Sequence, residues 1–452
     1  MLIGRKAESE ELMATLEEDD SQFVAVYGRR RVGKTYLIRE TFGYRFAFQH
    51  TGLANGSLME QLAEFQESLR QAGMKRTHRL KTWMEAFHML SDLIESSAEE
   101  GKKVIFIDEL PWMDTPKSNL ISALEHFWNG WASARKDIVL IICGSATAWV
   151  YKKILSNYGG LHNRVTRKLR VQPFTLGECE QYMVSRGLSL SRKELTVGYM
   201  AMGGIPYYWS LMQKKWSLDQ NIDNLFFRYD ATLQQEYDTL YASLFKYPEP
   251  YMKVVTALGK VRQGLHRDEI LKSTKLSDNQ TFSDVLRDLE QCGFIRKYMA
   301  LGKKSRGAFY QLMDNYTLFY LNFVKANSEN DEHFWTNSID TPLRNSWSGI
   351  AFERLCLWHV TQIKSALGIS GVNSSVYSWR TEATEEHDGA QMDLLIDRKD
   401  GVINLCEMKY ADDTYAIDAD EEKIRDNCVN HSKNALLRQD YFIPLRRRFF
   451  ED

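Results

Sequence analysis

An α/β fold built on a parallel sheet is what the sequence predicts for the first part of the chain, on three observations. The glycine-bounded basic turn Gly28-Arg29-Arg30-Arg31-Val32-Gly33-Lys34-Thr35 lies between the apolar run Phe23-Val24-Ala25-Val26-Tyr27 and the helix-like Tyr36-Leu37-Ile38-Arg39-Glu40. A second apolar run, Val104-Ile105-Phe106-Ile107, ends in the paired carboxylates Asp108-Glu109. A third, Ile138-Val139-Leu140-Ile141-Ile142-Cys143, ends in Gly144-Ser145. Continuous apolar runs are how strands covered on both faces of a parallel sheet read, and functional groups in such sheets stand at the carboxyl ends.

Each element has a chemical reading. Phosphate binding needs a strand that delivers the chain, glycines that let backbone N–H groups face an anion, and a helix whose positive end receives the charge. Residues Gly28, Arg29, Arg30, Arg31, Val32, Gly33, Lys34, Thr35 and Tyr36 are therefore the nucleotide-cradle candidates, with Lys34 reaching the terminal phosphates and Thr35 completing a Mg2+ shell. Asp108 is expected to hold the Mg2+ through water, and Glu109 to polarise the attacking water. Ser145, with Thr147 in reserve, is the candidate sensor of the γ-phosphate. Downstream, Asn163-Arg164-Val165-Thr166-Arg167-Lys168 offers an arginine finger at Arg164, or alternatively Arg167, with a solvated basic face equally open; Val171-Gln172-Pro173-Phe174 reads as a further strand or turn. ATP and Mg2+ are the cofactors this set implies.

Composition limits the rest. At 452 residues the chain has room for about three domains. Its net charge of −2 gives no global bias toward nucleic acid or membrane, so any nucleic-acid site must be local. Six cysteines lie far apart without a CxxC pair, which argues against a disulfide framework or a zinc site. The charged start Met1-Leu2-Ile3-Gly4-Arg5-Lys6 and the lack of a long apolar stretch lead to the expectation of a cytoplasmic protein with no membrane partner.

Taken together, Tyr27 to Thr35, Ile107-Asp108-Glu109-Leu110-Pro111-Trp112, Cys143-Gly144-Ser145 and Gly203-Gly204-Ile205-Pro206-Tyr207-Tyr208 resemble the motifs of predicted archaeal and bacterial P-loop ATPases on the border of the AAA+ and STAND groups. The resemblance covers nearly the whole chain. It implies a helical lid containing the Gly-Gly-Ile-Pro segment, with Pro206 near the adenine. Ile205 and Pro206 occupy the turn where similar initiator-type AAA+ ATPases carry an arginine.

Residues 251–310 hold twelve Lys plus Arg against six Asp plus Glu, a local excess of +6. Helical spacing at Tyr251 to Leu258, Arg267 to Leu271 and Thr281 to Leu289, followed by a strand-like pair around the turn Gly302-Lys303-Lys304-Ser305-Arg306-Gly307, is the order of a winged helix. Lys303, Lys304 and Arg306 are its phosphate-contact candidates, making DNA the expected partner. Asp284 and Asp288 on the third helix oppose that, and a purely packing role stays open.

Four further groups form a nuclease-like set. In Glu407-Met408-Lys409 strand alternation places acid and cation on one face. The turn Asp397-Arg398-Lys399-Asp400-Gly401 returns the chain so that Asp393 comes beside Glu407, and Glu353, on an earlier apolar helix, is an outer acid. Two carboxylates converging on Mg2+ and a nearby cation suit phosphodiester hydrolysis. This resembles the restriction-endonuclease-type PD-(D/E)xK core, which the same ATPase family carries at its C-terminus; the resemblance makes Asp393 and Glu407 metal ligands and Lys409 the catalytic cation. Only 43 residues follow Lys409, and they lack an evident closing helix and strand, so a truncated domain is one expectation.

The expected division is an ATPase core over 1–175, a helical lid over 176–245, a winged helix over 246–325 and a nuclease-like α/β domain over 326–452. The expected function is ATP hydrolysis controlling a DNA-directed, Mg-dependent nuclease-like end; the rival is a nucleotide-switched DNA-binding or signalling module whose nuclease-like domain is inactive. A homo-oligomer or a protein partner stays open, the latter through an aromatic set at Trp112, Trp128, Trp131 and Trp149.

Overall fold

The apolar runs condense into a five-stranded parallel sheet. In the computed structural model, which describes residues 2–98, 100–156, 159–299, 307–381, 390–411 and 439–446, β1 (Gln22–Tyr27), β2 (Phe48–Thr51), β3 (Lys103–Asp108), β4 (Ile138–Gly144) and β5 (Arg167–Arg170) stand in the order β2-β3-β4-β1-β5. Every neighbouring pair is parallel. All residues of β3 and β4 are buried, as strands with covered faces require. Parallel neighbours need crossovers, supplied by helices that include α1 (Lys34–Thr41), α2 (Leu58–Gln71), α3 (Trp83–Glu95) and α4 (Leu120–Gly130). A capping box, Ser57 with Glu60, starts α2, and the Thr82 side chain accepts from the Glu85 N–H at the start of α3.

The core beside this sheet is aromatic. Phe23, Phe48, Phe65, Trp83, Phe87, Phe127 and Trp128 join in one buried cluster, with Phe23 and Trp128 ring centroids 4.9 Å apart. Trp128 is thus core. Trp131 and Trp149 are partly buried against the cluster and donate their indole N–H groups to Glu95 and Asp114 at 2.6 and 2.9 Å.

The fifth strand is Arg167–Arg170, just before the segment Val171 to Phe174 that reads as a further strand or turn; Val171 donates its N–H to the Tyr27 carbonyl at 2.8 Å. As an edge strand β5 buries Leu169 alone, so a charged sequence satisfies it.

The chain divides into two units. The first comprises Met1–Phe174 together with Ile205–Tyr207 and Ser243–Lys246; the second comprises Thr175–Gly204, Tyr208–Ala242 and Tyr247–Asp452.

Unit 2 begins with α5 (Leu176–Ser185), α6 (Arg192–Met202) and α7 (Leu218–Phe226), each opened by a capping box. Next come α8 (Glu249–Gly259), β6 (Leu265–His266), α9 (Arg267–Thr274), α10 (Gln280–Gln291), β7 (Ile295–Met299) and β8 (Ala308–Leu312), the strands forming an antiparallel sheet in the order β6-β8-β7. Gly264 has φ 88°, and a Cβ there would stand 2.4 Å from the Tyr310 carbonyl oxygen, so only glycine admits the approach of β6 to β8. Lys303, Lys304 and Arg306 lie outside the described residues.

The last part holds α11 (Pro342–Trp358) and the sheet β12-β11-β10-β9, from β9 (Ser374–Thr381), β10 (Ala390–Arg398), β11 (Val402–Lys409) and β12 (Gln439–Arg446). The first three strands form an antiparallel meander, whereas β12 pairs with β11 in parallel. The expected absence of a closing strand is therefore corrected: β12 supplies one, at the edge of the sheet among the described residues.

Among the described residues no helix is long and apolar enough to cross a membrane. Five cysteines are buried free thiols, and Cys428 lies outside the described residues.

A buried histidine ties α5 to α11. His359 Nε2 accepts the Leu176 N–H at 2.9 Å, so the proton sits on Nδ1, which donates to the Leu355 carbonyl at 2.7 Å. A second proton would oppose the Leu176 N–H, and burial pushes the ring pKa down to about 4. The unfolded chain takes up that proton near pH 6.5 and the folded chain only near 4, so stability is lost as pH falls through that window. We expect about 2 kcal/mol lost at pH 5 relative to pH 7 from this residue. Denaturant midpoints of the wild type and His359→Gln against pH will test it: the variant should lack this part of the acid sensitivity.

Candidate nucleotide site and acidic centre

The strand order sets the carboxyl ends of β1, β3 and β4 side by side, and the predicted phosphate-handling residues gather there. β1 ends at Tyr27, and Gly28 follows with φ 151°, where a Cβ would stand 2.3 Å from the Val171 carbonyl oxygen. Gly33, at φ 88°, precedes α1 with no side-chain cap. The first N–H groups of α1 are thereby directed to an anion. Arg29 and Val32 are buried, Arg30 is partly buried and Tyr36 is exposed.

Lys34 is buried and donates Nζ to the carbonyls of Gly28 and Arg29, both at 3.0 Å, so its ammonium spans the loop. Thr35 Oγ1 donates to Asp108 Oδ2 at 2.7 Å, while Asp108 Oδ1 accepts the Glu109 N–H at 2.9 Å. One hydroxyl and one carboxylate, with the other positions left to phosphate oxygens and water, is a donor set that fits Mg2+. Glu109 leaves β3 with φ 47°. Its two oxygens accept from Ser145 Oγ at 3.0 and 2.9 Å, and one also accepts the Ser145 N–H at 3.2 Å. The concentration of negative charge is visible at Cys143, whose thiol is pushed well up by burial and by Asp108 and Glu109. Thr147, two residues beyond Ser145, is buried and donates its N–H to the Ser145 carbonyl at 2.9 Å.

Two other candidates are placed less simply. Pro206 opens a short helix in a segment that belongs to unit 1, and the next residue, Tyr207, lies under the Arg31 guanidinium at 4.1 Å from the ring centroid. Arg164 is exposed just before β5; Thr166, two residues on, donates its N–H to Phe23 at the opposite end of β1 from the P-loop. Within one chain Arg164 is therefore not brought to the phosphates. Arg167 pairs with Glu18.

A second constellation lies in unit 2. Glu353 on α11, Asp393 on β10 and Glu407 on β11 are all buried. An irregularity in β10 between Met392 and Leu395 turns Asp393 toward β11, where its Oδ2 accepts the Met408 N–H at 3.0 Å. Lys409 Nζ stands 3.1 Å from Glu407 Oε1. Arg262 reaches this group from the segment between α8 and β6. Its Nε donates to Glu353 Oε2 at 3.1 Å, and its Nη2 is 3.7 Å from Asp393 Oδ1. Arg354, itself buried, donates to Glu353 Oε1 at 2.7 Å and to the Leu312 carbonyl at 2.6 Å. Gln311 donates to Glu353 Oε1 at 3.2 Å and to the Arg262 carbonyl at 2.8 Å.

The two neighbouring carboxyls titrate apart. Burial pushes Asp393 up to about 8, helped by the facing charges of Glu353 and Glu407 and only partly offset by Arg262. Burial would also raise Glu353, but Arg354 and Arg262 outweigh it and hold the carboxyl below its ordinary range. Among the described residues no three His, Cys, Asp or Glu groups are arranged to hold a metal ion. The acids here face guanidinium groups, and this arrangement does not fit a divalent ion.

Sequence reasoning missed four residues. Arg5 donates to the Val32 and Gln172 carbonyls at 3.3 and 2.6 Å, bracing the P-loop. Arg262, Gln311 and Arg354 organise the acidic centre. Only Arg354, adjoining Glu353 on an apolar helix, carried any local signal.

Residues 2–211 match the model of a family described as an ATPase domain predominantly from Archaea. The chain is 24% identical over 437 residues to an uncharacterized protein of Methanocaldococcus jannaschii, covering 96% of this chain and 92% of that one. Among solved structures it is similar to a Walker-type ATPase of Pyrococcus abyssi, with 16% identity, TM-score 0.52, and coverage of 71% of this chain and 96% of that one. An ORC2 protein of Aeropyrum pernix aligns at 12% identity and TM-score 0.44, covering 74% of this chain and 95% of that one. The Pyrococcus likeness is one of fold.

Proposed function

We propose that this chain, whose residues 2–211 match the model of an ATPase domain predominantly from Archaea, is a nucleotide-binding ATPase in which ATP turnover at the P-loop switches a DNA-directed unit 2 ending in a nuclease-like domain. In this reading Gly28 to Tyr36 hold ATP, Thr35 and Asp108 hold Mg2+, Glu109 orients the attacking water and Ser145 reports the γ-phosphate. Pro206 lies near the adenine, and Arg164 acts on the site of a second copy as an arginine finger in trans. The observation that carries the switch is Tyr207 under Arg31. The segment Ile205–Tyr207 belongs to unit 1, while the chain on both sides of it belongs to unit 2. Phosphate drawing on Arg31 therefore acts on a segment tethered at both ends to unit 2.

The DNA-directed assignment rests on the local charge of +6 over residues 251–310 and on the element order α8-β6-α9-α10-β7-β8, which is that of a winged helix. Lys303, Lys304 and Arg306 are the proposed phosphate contacts. In this first reading Asp393 and Glu407 are metal ligands of the nuclease-like centre and Lys409 its cation, which requires the arginines to leave the arrangement seen. A second reading, a nucleotide-switched DNA-binding module that does not cut, is favoured by the arginines now engaging Glu353 and Asp393.

Incubation of the full chain with plasmid and linear DNA, Mg2+ or Mn2+, with and without ATP, separates the two. The first reading expects cleavage that Asp393→Ala abolishes. The second expects no cleavage and a DNA affinity that Asp393→Ala leaves unchanged. Neither cleavage nor DNA binding in any nucleotide state would dismiss both.

A further inference from the structure

One stretch of unit 1 has a charge unlike the rest of the chain. From Ile138 to Gly177 there are six Lys plus Arg and no Asp or Glu, in a protein whose net charge is −2. The stretch begins with β4 and runs past β5, and all its charges follow Ser145.

Two pieces of it meet at the carboxyl end of β1. In the edge strand β5, Leu169 is buried while Lys168 and Arg170 are exposed, and alternation puts these two cations on one face about 6–7 Å apart. Arg170 is the register partner of Tyr27. The other piece is the short helix Thr147–Val150, which runs on as a π-helical turn, Tyr151–Leu155. Tyr151 is 45% exposed, with Lys152 and Lys153 exposed beside it. Both pieces reach Tyr27: burial pushes its phenol up, Arg170 opposes the shift and Tyr151 adds to it. Lys153 stands 4.0 Å from Asp114, and Arg167, on the Leu169 face of β5, pairs with Glu18. Lys152, Lys168 and Arg170 carry the outward charge.

Exposed cations with an aromatic ring among them are what holds a single nucleic-acid strand, the cations following the phosphates and the ring taking a base. A protein partner would call for an apolar centre. Among the described residues of this stretch, Tyr151 alone is an exposed large hydrophobic side chain, so the charge complementarity favours the nucleic acid.

We propose that this face, Tyr151 with Lys152, Lys168 and Arg170, binds single-stranded DNA through its phosphates and one stacked base. The site lies in unit 1, goes beyond the DNA-directed reading of unit 2 and stands without it. Tyr27 leads directly into Gly28, and Tyr151 follows Ser145 by six residues, so the face borders the nucleotide site on two sides.

Fluorescence anisotropy of a labelled oligothymidylate with the full chain tests the site. Lys152→Gln with Lys168→Gln should weaken binding at least tenfold and flatten its salt dependence, the slope of log K against log salt falling by about 1.4 for two lost phosphate contacts. Tyr151→Ala should weaken binding by about tenfold and keep the slope. Lys75→Gln with Lys81→Gln, an equal loss of charge at exposed positions elsewhere in unit 1, should do neither. The proposal is overturned if the wild type does not bind the oligothymidylate, if the Lys152 and Lys168 pair binds it as the wild type does, or if the Lys75 and Lys81 pair loses as much. Sedimentation velocity of the same variants adds one outcome: a Lys152 and Lys168 pair that dissociates a wild-type oligomer while its oligothymidylate affinity is unchanged makes the face an interface between copies, and this too overturns the proposal. Failure of the unit 2 reading is seen separately, with Lys303→Gln and Lys304→Gln. Unchanged duplex binding by that pair removes the wing contacts and leaves this site standing, whereas oligothymidylate binding lost in that pair alone removes this site.

Discussion

Glu109→Gln should still bind ATP while its kcat falls by about two to four orders of magnitude, the range a positioned general base contributes. The substitution keeps the size of the side chain and one oxygen able to accept from Ser145, so β3 and its turn at φ 47° are not disturbed. What is lost is the carboxylate that draws a proton from water. Thr35, Asp108 and Lys34 are untouched, and the variant should hold ATP unhydrolysed; Lys34→Ala, by contrast, should lose nucleotide binding itself. Filter binding of labelled ATP together with single-turnover hydrolysis measures both quantities. Normal turnover in Glu109→Gln would remove Glu109 from the role of base. The Ser145 clamp adds a requirement: Glu109 has both oxygens engaged, so at least one contact has to loosen before water can be polarised.

Arg354→Ala should destabilise unit 2 by about 3–5 kcal/mol, the cost of leaving a buried partner charge uncompensated. Three of its nitrogens are committed, to the carbonyls of Leu312 and Arg262 and to Glu353, and both members of the pair are 1% exposed at their side chains. A lysine could not make this set, because the planar fork is what reaches α11, β8 and the segment of Arg262 together. Removing the charge as well, in Glu353→Gln with Arg354→Met, should recover part of the loss. Denaturant unfolding of the single and double variants gives the comparison; an Arg354→Ala midpoint equal to the wild type would show that the pair is not structural. Arg262→Gln should be milder in the same assay, since its side chain is 44% exposed where that of Arg354 is 1%.

The nucleotide side of the molecule was legible because its determinants are local. β1, β3 and β4 are buried on both faces and read as unbroken apolar runs, and the P-loop and Asp108-Glu109 sit directly at their ends. β5 was not read as a strand because an edge strand needs only Leu169 to be apolar, and Arg167, Lys168 and Arg170 conceal it. β12 was missed for a related reason: it stands at the edge of the sheet among the described residues, and Asp440, Pro444 and Arg446 break up its apolar run. At the acidic centre, Asp393, Glu407 and Lys409 could be read from strand alternation and one turn. Arg262 could not, being 91 residues from Glu353 and connected to it only by the packing of unit 2. Tyr207 gave its motif but not its stacking partner.

The assignment of Ile205–Tyr207 and Ser243–Lys246 to unit 1 has a consequence for biosynthesis. Neither unit is one uninterrupted stretch, so a growing chain that has passed Phe174 still lacks two pieces of its nucleotide-binding half. The stacking of Tyr207 on Arg31 has to wait until 207 residues are made, and unit 1 receives its last piece only at residue 246, after the helices of α5 to α7 have been synthesised. A fragment ending at Phe174 would carry every P-loop group and still be an unfinished object, and a gene cut at that point would yield a nucleotide cradle without Ile205–Tyr207 and Ser243–Lys246.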